Sequence, residues 1–343
     1  MTIETDVVII GAGPVGLFQV FELGLQGLSA HLVDALPQPG GQCTELYPDK
    51  PIFDIPSVPE CTGQELTDNL LRQIEPFAPG MHLDQTVERL ERRGEHDFLV
   101  GTSAGTEFRC KAVVVAAGAG SFTPVRLRTP GIERFEGDQL LYRVREPSRH
   151  AGRDVVVLGG GDSALDWALT LAGVARSLTL VNRTEKFRGA EASVRKLESL
   201  AAAGEARILY GQVTGFGEEA GRLASLTLSL RDEAKSETTL PVDDLLVFFG
   251  LSPKLGPIEE WDLALERKLV TIDLATFETS VPGVYAIGDI NTYAGKKKLI
   301  LSGFHEAALA AFAIKQSLEP DKKVFLQYTT TSPLMHERLG VEG

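Results

Sequence analysis

Asp6–Glu22 reads DVVIIGAGPVGLFQVFE, and the order of residue types in it decides the fold. Val7–Ile10 is a short, β-branched apolar run, which predicts a buried strand. Gly11, Gly13 and Gly16 follow immediately, and Leu17, Val20, Phe21 and Leu25 then recur at helical spacing. Strand, Gly-x-Gly-x-x-Gly and helix make a dinucleotide-binding turn. Gly11 permits the tight turn, Gly13 lets backbone approach a pyrophosphate, and Gly16 lets helix and strand pack closely. Phosphates at such a turn meet the free N–H groups and positive dipole end of the helix. Asp34 stands eighteen positions after Gly16, at the end of a second short strand, His31–Val33. A ribose hydroxyl needs a carboxylate at that place.

The motif recurs. Shifted by 148 positions, the opening stretch becomes Asp154–Leu165, DVVVLGGGDSAL. Gly11 maps to Gly159, Gly13 to Gly161, and Gly16 to Ala164, an accepted third member of the fingerprint. Two such turns imply two dinucleotide sites. Their ribose ends differ: Asp34 maps to Asn182, followed by Arg183 and, in LVNRTEKFRG, by Arg188. A carboxylate repels a ribose 2′-phosphate, whereas arginine offers it a planar fork of donors. The first site is therefore expected to take an unphosphorylated ribose, as in FAD, and the second to prefer NADPH over NADH.

With 343 residues, the chain has room for about two domains. Its 43% hydrophobic and 24% charged content is globular, and a net charge of −13 argues against nucleic acid and anionic membranes as partners. Cys43, Cys61 and Cys110 form neither a C-x-x-C pair nor a metal pattern, so no metal site is expected and a reducing compartment is. No apolar run approaches the ~20 residues of a membrane span. A soluble, cytoplasmic protein is the expectation.

Along the chain, residues 35–60 are rich in proline and glycine and keep neither strand nor helix period. They are expected to be a long ordered loop, with Gln42 and Tyr47 able to bond and stack on a cofactor. Gly63–Phe77 has helical spacing, residues 86–109 alternate and turn at Gly94 and Gly105, and Ala112–Gly118 reads as a buried strand ending in glycines. Residues 119–125 and 251–257 are expected linkers. Between them lies the second strand–turn–helix, a helix over 194–203, strands at 207–210 and 223–230, and the apolar run LLVFFG. Residues 280–290, SVPGVYAIGDI, end a strand in Gly288-Asp289, where a carboxylate can reach a ribityl chain. Gly303–Leu318 is a helix, and its N-terminus suits the flavin pyrimidine. His305 within it is read as structural. A tail, 324–343, follows.

Together GAGPVG, VVVAAGAG, GGGDSA, VNRTEKFR and VYAIGD resemble the two-dinucleotide-binding flavoprotein superfamily over essentially the whole chain. Size and layout are similar to low-molecular-weight thioredoxin reductase. One feature departs: residues 137–154, just before the second turn, contain no cysteine where that enzyme carries its redox dithiol. The segment PGGQCTELYPDKPIFDIP and the tail YTTTSPLMHERLG resemble the thioredoxin-reductase-like ferredoxin–NADP(+) reductases of bacteria.

That resemblance implies an α/β fold of two Rossmann-like, three-layer ββα domains, with residues 1–120 and 251–343 binding FAD and 121–250 binding NADPH. It implies a homodimer and an exchange of electrons between NADPH and ferredoxin or flavodoxin through FAD, without an acid–base triad. By position, Gly11, Gly13, Gly16 and Asp34 hold the adenosine side of FAD, Val87 meets adenine, and Phe122 borders the cofactor. Gln42 and Tyr47 meet the flavin, Asp289 the ribityl chain, and Thr330 the ring region. Gly159, Gly161, Ala164, Arg183 and Arg188 hold NADPH. Tyr47 covers one flavin face, and an aromatic of the partner subunit's tail covers the other. Tyr328 is chosen for that face, with His336 as its competitor. Lys296–Lys298, Arg126, Arg128, Arg143, Arg145 and Arg149 are candidate contacts for an acidic ferredoxin. Two other readings stay open on the residues alone: a diaphorase with another acceptor, and a flavin redox sensor without turnover.

Overall fold

The computed structural model describes residues 2–144 and 146–341, with the side chains of 121–123 and 251–254 outside the description. Its contacts divide the chain into two compact units, residues 1–121 with 253–343, and residues 122–252.

In the first unit Val7–Ile10 is the centre of a five-stranded parallel sheet. The order is Val284–Ala286, Ala112–Val115, Val7–Ile10, Ala30–Val33 and Gly80–His82. An alternating strand side chain points to opposite faces, and here both faces are covered. Val7, Ile9 and Val114 pack under helices, whereas Val8, Ile10, Val113 and Val115 pack under a second sheet. That explains a continuous apolar run in place of a polar–apolar alternation. Each such fully buried side chain stabilises the unit by roughly 1.5–3 kcal/mol.

The helical layer contains α1 (Pro14–Leu25), α3 (Gly63–Ile74) and α6 (Ile300–Leu318). The opposite layer is the meander of Val87–Gly94, Asp97–Thr102 and Glu107–Cys110, completed by Thr2–Glu4 running parallel to its last strand. The pairing of Thr2–Glu4 has no periodic signal in so short a segment.

Within residues 35–60, expected as loop throughout, lies a short helix, α2 (Gln42–Leu46), and Pro51–Ile52 pairs with Cys61–Thr62. Five helical residues are too few to show a period. Gly41, with φ +55° and ψ −127°, starts α2 in a conformation that favours glycine. The tail also carries a helix, α7 (Pro333–Leu339), started by the Ser332 hydroxyl and held by buried Met335.

The second unit repeats the plan. Its seven-stranded sheet runs Leu140–Leu141, Asp244–Val247, Asp154–Leu158, Ser177–Asn182, Arg207–Glu219, Arg222–Leu230 and Glu237–Pro241, the last two pairings antiparallel. Val155 and Val157 face α4 (Asp162–Leu171) and α5 (Glu191–Ala202), while Val156 and Leu158 face the hairpin side. The 207 strand runs to Glu219, well past the expected Tyr210, because its long second half pairs with residues 222–230. Buried Asp244 receives His150 Nδ1 at 2.7 Å and Arg153 at 2.9 Å, joining the starts of two connections. Residues 121–124 and 251–254 are neighbours in a two-stranded ladder.

Candidate functional site

The first glycine turn is built by contacts that only glycine allows. Gly11 has φ +113°, and a methyl there would lie 2.4 Å from Ala116 O; a methyl at Gly16 would lie 1.9 Å from Gly11 O. Gly13 differs, since its nearest neighbour to an added methyl is Gly41 Cα at 4.0 Å. Gly11 and Gly16 therefore serve packing, and Gly13 leaves an open face at the start of α1. No side chain caps that start and no acid stands in its first turn. By contrast α3 is capped by its own chain: Thr62 Oγ1 accepts from Glu65 N at 3.1 Å, and Glu65 Oε2 accepts from Thr62 N at 2.8 Å. The α1 donors are left for an anion.

Asp34 reaches into this turn. Its Oδ2 accepts from Ala12 N at 2.6 Å and its Oδ1 from Leu36 N at 2.8 Å. Burial pushes its carboxyl above the ordinary aspartate value, and the two N–H groups pull the other way. Gln85 N donates to Asp34 O at 3.0 Å, which brings buried Val87, at the head of its strand, to the same edge.

Other expected residues gather at this pole. Gly40 N donates to Ala12 O at 2.8 Å, docking the 40–47 segment on the glycine turn. Gln42 Nε2 stands 3.7 Å from where a methyl on Gly118 would be. Half-buried Tyr47 bonds Cys43 Sγ through its hydroxyl at 3.5 Å. That hydroxyl titrates higher than a free tyrosine, chiefly by burial, then through Cys43, with Asp289 and Asp54 adding to the effect. Tyr47 and Asp289 thus share one electrostatic neighbourhood. A cavity of about 410 Å³ opens beside Tyr47, lined by Lys50, Pro51, Ile52, Phe53 and Asp54. Asp289 itself is raised by burial, against the pull of Lys298 and Lys296.

Reading the sequence missed the cluster beneath Asp289. Glu306, fully buried on α6, accepts from Gly288 N at 2.7 Å, Asn291 Nδ2 at 2.9 Å, Tyr293 Oη at 2.8 Å, and the Lys296 ammonium. Its signal was present: Gly303, Glu306, Ala307 and Ala310 share one face of the helix, so a charge interrupts an otherwise small, apolar stripe. The same cluster corrects the expectation for Lys296. Its side chain is 7% exposed and bonded inside the protein, so it offers nothing to a docking protein. Of the other expected cations, Lys297, Lys298 and Arg128 are exposed, Arg126 and Arg149 pair with Glu136 and Asp138, and Arg145 lies outside the described residues. His305 is exposed on α6.

The tail is elsewhere. Arg338 donates to Leu25 O, and α7 packs on α1 and on residues 75–77. That is the C-terminal end of α1, a helix length of about 18 Å from Gly13. Tyr328 and Thr330 are exposed there, and His336 Nε2 is bonded to Thr329 O at 2.7 Å. Among the described residues, no hydrogen bond joins Tyr328, Thr330 or His336 to the glycine turn. The Phe122 side chain lies outside the description.

In the second unit, Gly159 has φ +145°, and a methyl there would lie 2.5 Å from Phe248 O, while one at Gly161 would meet nothing within 4 Å. Ala164 is buried at the third position. Asn182 donates to Thr184 O at 2.7 Å and to Lys186 O at 3.3 Å, folding the 183–190 loop back. Arg188 N then donates to Gly160 O at 2.7 Å, and Asp162 Oδ1 accepts from Ala190 N at 2.8 Å. Arg183 and Arg188 are brought to the glycine turn, exposed and without an ion pair among the described residues.

All three cysteines are free and buried, and burial pushes Cys110 up to about 12. Among the described residues no group of His, Cys, Asp and Glu could hold a metal ion, and no helix is long and apolar enough to cross a membrane.

Residues 5–316 match the model of the pyridine nucleotide-disulphide oxidoreductase family. A curated protein of Cupriavidus taiwanensis named ferredoxin–NADP reductase 2 is 58% identical over 341 residues, covering 99% of this chain and 92% of that one. The ferredoxin–NADP reductase of Methylibium petroleiphilum is 56% identical over 344 residues, covering 99% and 93%. Among solved structures, the thioredoxin reductase of T. acidophilum superposes with a TM-score of 0.76 at 22% identity, covering 92% of this chain and 99% of that one. A bacillithiol disulfide reductase from Bacillus cereus does so with 0.76 at 18%, covering 91% and 99%. At those identities the structures speak for the thioredoxin-reductase-like fold alone. The chain belongs to the pyridine nucleotide-disulphide oxidoreductase family, an enzyme of oxidation and reduction grouped with the thioredoxin-reductase-like ferredoxin–NADP reductases.

Proposed function

We propose that the chain carries electrons between NADPH and a ferredoxin or flavodoxin, with one FAD per subunit held by the first unit and NADPH by the second. The observation that carries this reading is a duplicated glycine turn whose two copies share a backbone and differ at the ribose end, Asp34 against Asn182 with Arg183 and Arg188. The names of the relatives support the same pair of substrates.

The residues fit both nucleotides. Gly13 and Gly161 leave room for pyrophosphate at uncapped helix starts. Gly11, Gly16, Gly159 and Ala164 draw each helix against its strand. Asp34 accepts the ribose hydroxyls of FAD, Val87 borders adenine through its backbone, and Phe122 flanks the cofactor. Asp289 meets the ribityl chain; Gln42 donates to the ring and Tyr47 stacks on it. Arg183 and Arg188 hold the 2′-phosphate of NADPH. FAD, when bound, supplies acceptance of a hydride from NADPH and release of electrons one at a time.

Every other contribution is the protein's. Exposed Lys297, Lys298 and Arg128 give local positive charge to an acidic protein of net charge −13. Exposed Tyr328 and Thr330 belong to the tail whose α7 is anchored at the far end of α1 through Arg338, and on this reading they serve the site of a second copy in a homodimer. Tyr328 fits that role better than His336, which is engaged with Thr329 O. Residues 137–154, before the second glycine turn, carry no thiol pair to relay electrons, which supports a client that takes them singly from the flavin.

The test is NADPH-dependent reduction of cytochrome c by the purified holoenzyme. The expected result is a rate that requires added ferredoxin or flavodoxin. A full rate on a quinone or on dyes, with no gain from either carrier, would select a diaphorase instead.

A further inference from the structure

Gly288 sits one residue before Asp289 and has φ +76°, a conformation that favours glycine. Both of its peptide groups are taken by ionised side chains. Gly288 N donates to Glu306 Oε2 at 2.7 Å, and Gly288 O accepts from Lys296 Nζ at 2.9 Å. Glu306 and Lys296 also contact each other, with side-chain exposures of 0% and 7%. Asn291 and Tyr293 supply the remaining donors, so the carboxylate receives four. The Lys296 ammonium lies 5.2 Å from the Tyr293 ring centre.

Nothing in the packing of α6 demands this pair. The rest of its buried face is Gly303, Ala307, Ala310, Ala311 and Ile314, which seals against α1 without charge. The ion pair stands only in the first turns of the helix, where Gly303 meets Val15 of the glycine turn; a methyl on Gly303 would be 2.3 Å from Val15 Cγ2. Burying two charges is costly unless both are fully bonded, and apolar residues of similar size often stabilise as well. What a saturated pair adds is one defined geometry.

We propose that Glu306 and Lys296 are positioning residues of the cofactor site, which lock the two peptide groups of Gly288 and so fix where the Asp289 carboxylate stands against the glycine turn. This rests on the reading of Asp289 as a ligand of the FAD ribityl chain. Glu306 acts through Asp289, and a structural brace would act independently of it. The two roles separate in a double-substitution cycle, because independent sites add and coupled ones do not.

The experiment is titration of apoprotein with FAD, followed by flavin fluorescence, for the unaltered chain, D289N, E306Q and D289N/E306Q. Each single change is expected to weaken FAD binding about tenfold, and the double no more than about threefold beyond the weaker single. Tyr293→Phe removes one bond to Glu306 and keeps its charge. It is expected to cost about threefold alone and nothing measurable on D289N, and this cycle decides if E306Q does not fold. A double variant weakened by the product of the singles would overturn the clamp while leaving the Asp289 reading intact. So would an E306Q protein that binds FAD normally. A D289N protein with unaltered FAD affinity would instead remove the ligand itself, and the clamp with it.

Discussion

The two glycine turns agree bond for bond and differ in charge. Gly11 N donates to Val33 O at 2.8 Å, and Gly159 N to Val181 O at 3.0 Å. Gly40 N donates to Ala12 O at 2.8 Å, and Arg188 N to Gly160 O at 2.7 Å. Every one of these partners is related by the same shift of 148, so the repeat extends through residue 40 in backbone. On this common frame one copy puts Asp34, Ala35 and Gly40, the other Asn182, Arg183 and Arg188. On the proposed reading, duplication kept what would hold a pyrophosphate and changed what would meet the ribose. Each expected outcome below breaks or sharpens that statement.

The largest effect belongs to the third position. Gly16→Ala places a methyl 1.9 Å from Gly11 O, whereas the second turn already carries Ala164. G16A should lose FAD and about 3 kcal/mol or more of stability. A164G should cost only about 0.5–1 kcal/mol, as for any glycine inside a helix. Thermal melting and flavin content of the purified proteins check both. An undamaged G16A would mean that the first turn opens to the spacing that the second already has around buried Ala164.

Next come the arginines. Replacing Arg183 and Arg188 together by alanine should lower kcat/KM for NADPH about 100-fold and leave NADH within about threefold, at roughly 1.4 kcal/mol per lost charged contact. Steady-state rates with both nucleotides measure it. An unchanged preference would remove the charge difference from the account.

Asp34→Asn is the reciprocal change. It makes the first turn resemble the second at one position, and should weaken FAD about tenfold while NADPH kinetics with restored FAD stay unaltered. Apoprotein titration gives the answer. Loss of NADPH preference instead would mean the ribose ends had been assigned to the wrong units.

The smallest effect contrasts the two helices. Glu22 on α1 maps by the same shift to Thr170 on α4, whose hydroxyl donates to Asp166 O at 2.9 Å. Burial pushes Glu22 up to about 7 from an ordinary 4.5. Between those values the folded chain holds a proton that the unfolded chain has released, so stability falls as pH rises through that window and is level above it. Glu22→Gln should therefore stabilise by about 1–3 kcal/mol at pH 8, discounted for partial exposure, and by nothing near pH 4.5. Melting curves at the two pH values test the sign.

Much of this was legible without coordinates, for reasons visible in particular residues. Val7–Ile10 and its copy Val155–Leu158 are apolar on both faces and abut glycines, so strand, turn and helix could be read directly. The residues expected at the ribose ends could be picked out because Asp34 and Asn182 stand at fixed spacings from those glycines. What escaped depended on long-range partners. Gln42–Leu46 is too short for periodicity, and Thr2–Glu4 gains its place only from residues 107–109. Lys296 looked like surface because Glu306, ten residues on, cannot be recognised as its partner from composition. Only its position on the buried stripe of α6 hints at it. The tail's anchor, Arg338 on Leu25 O, joins residues more than 300 apart and leaves no local trace.

The central claim is that two like-built clefts hold unlike nucleotides that exchange a hydride. Anaerobic titration of the purified holoenzyme, followed by flavin absorbance, tests it most directly. The expected result is a yellow protein bleached by NADPH in proportion to its FAD, far faster than by NADH, and less selectively once Arg183 and Arg188 are alanine. Protein that comes out colourless and takes up no FAD, or yellow protein that NADPH leaves yellow, would contradict it.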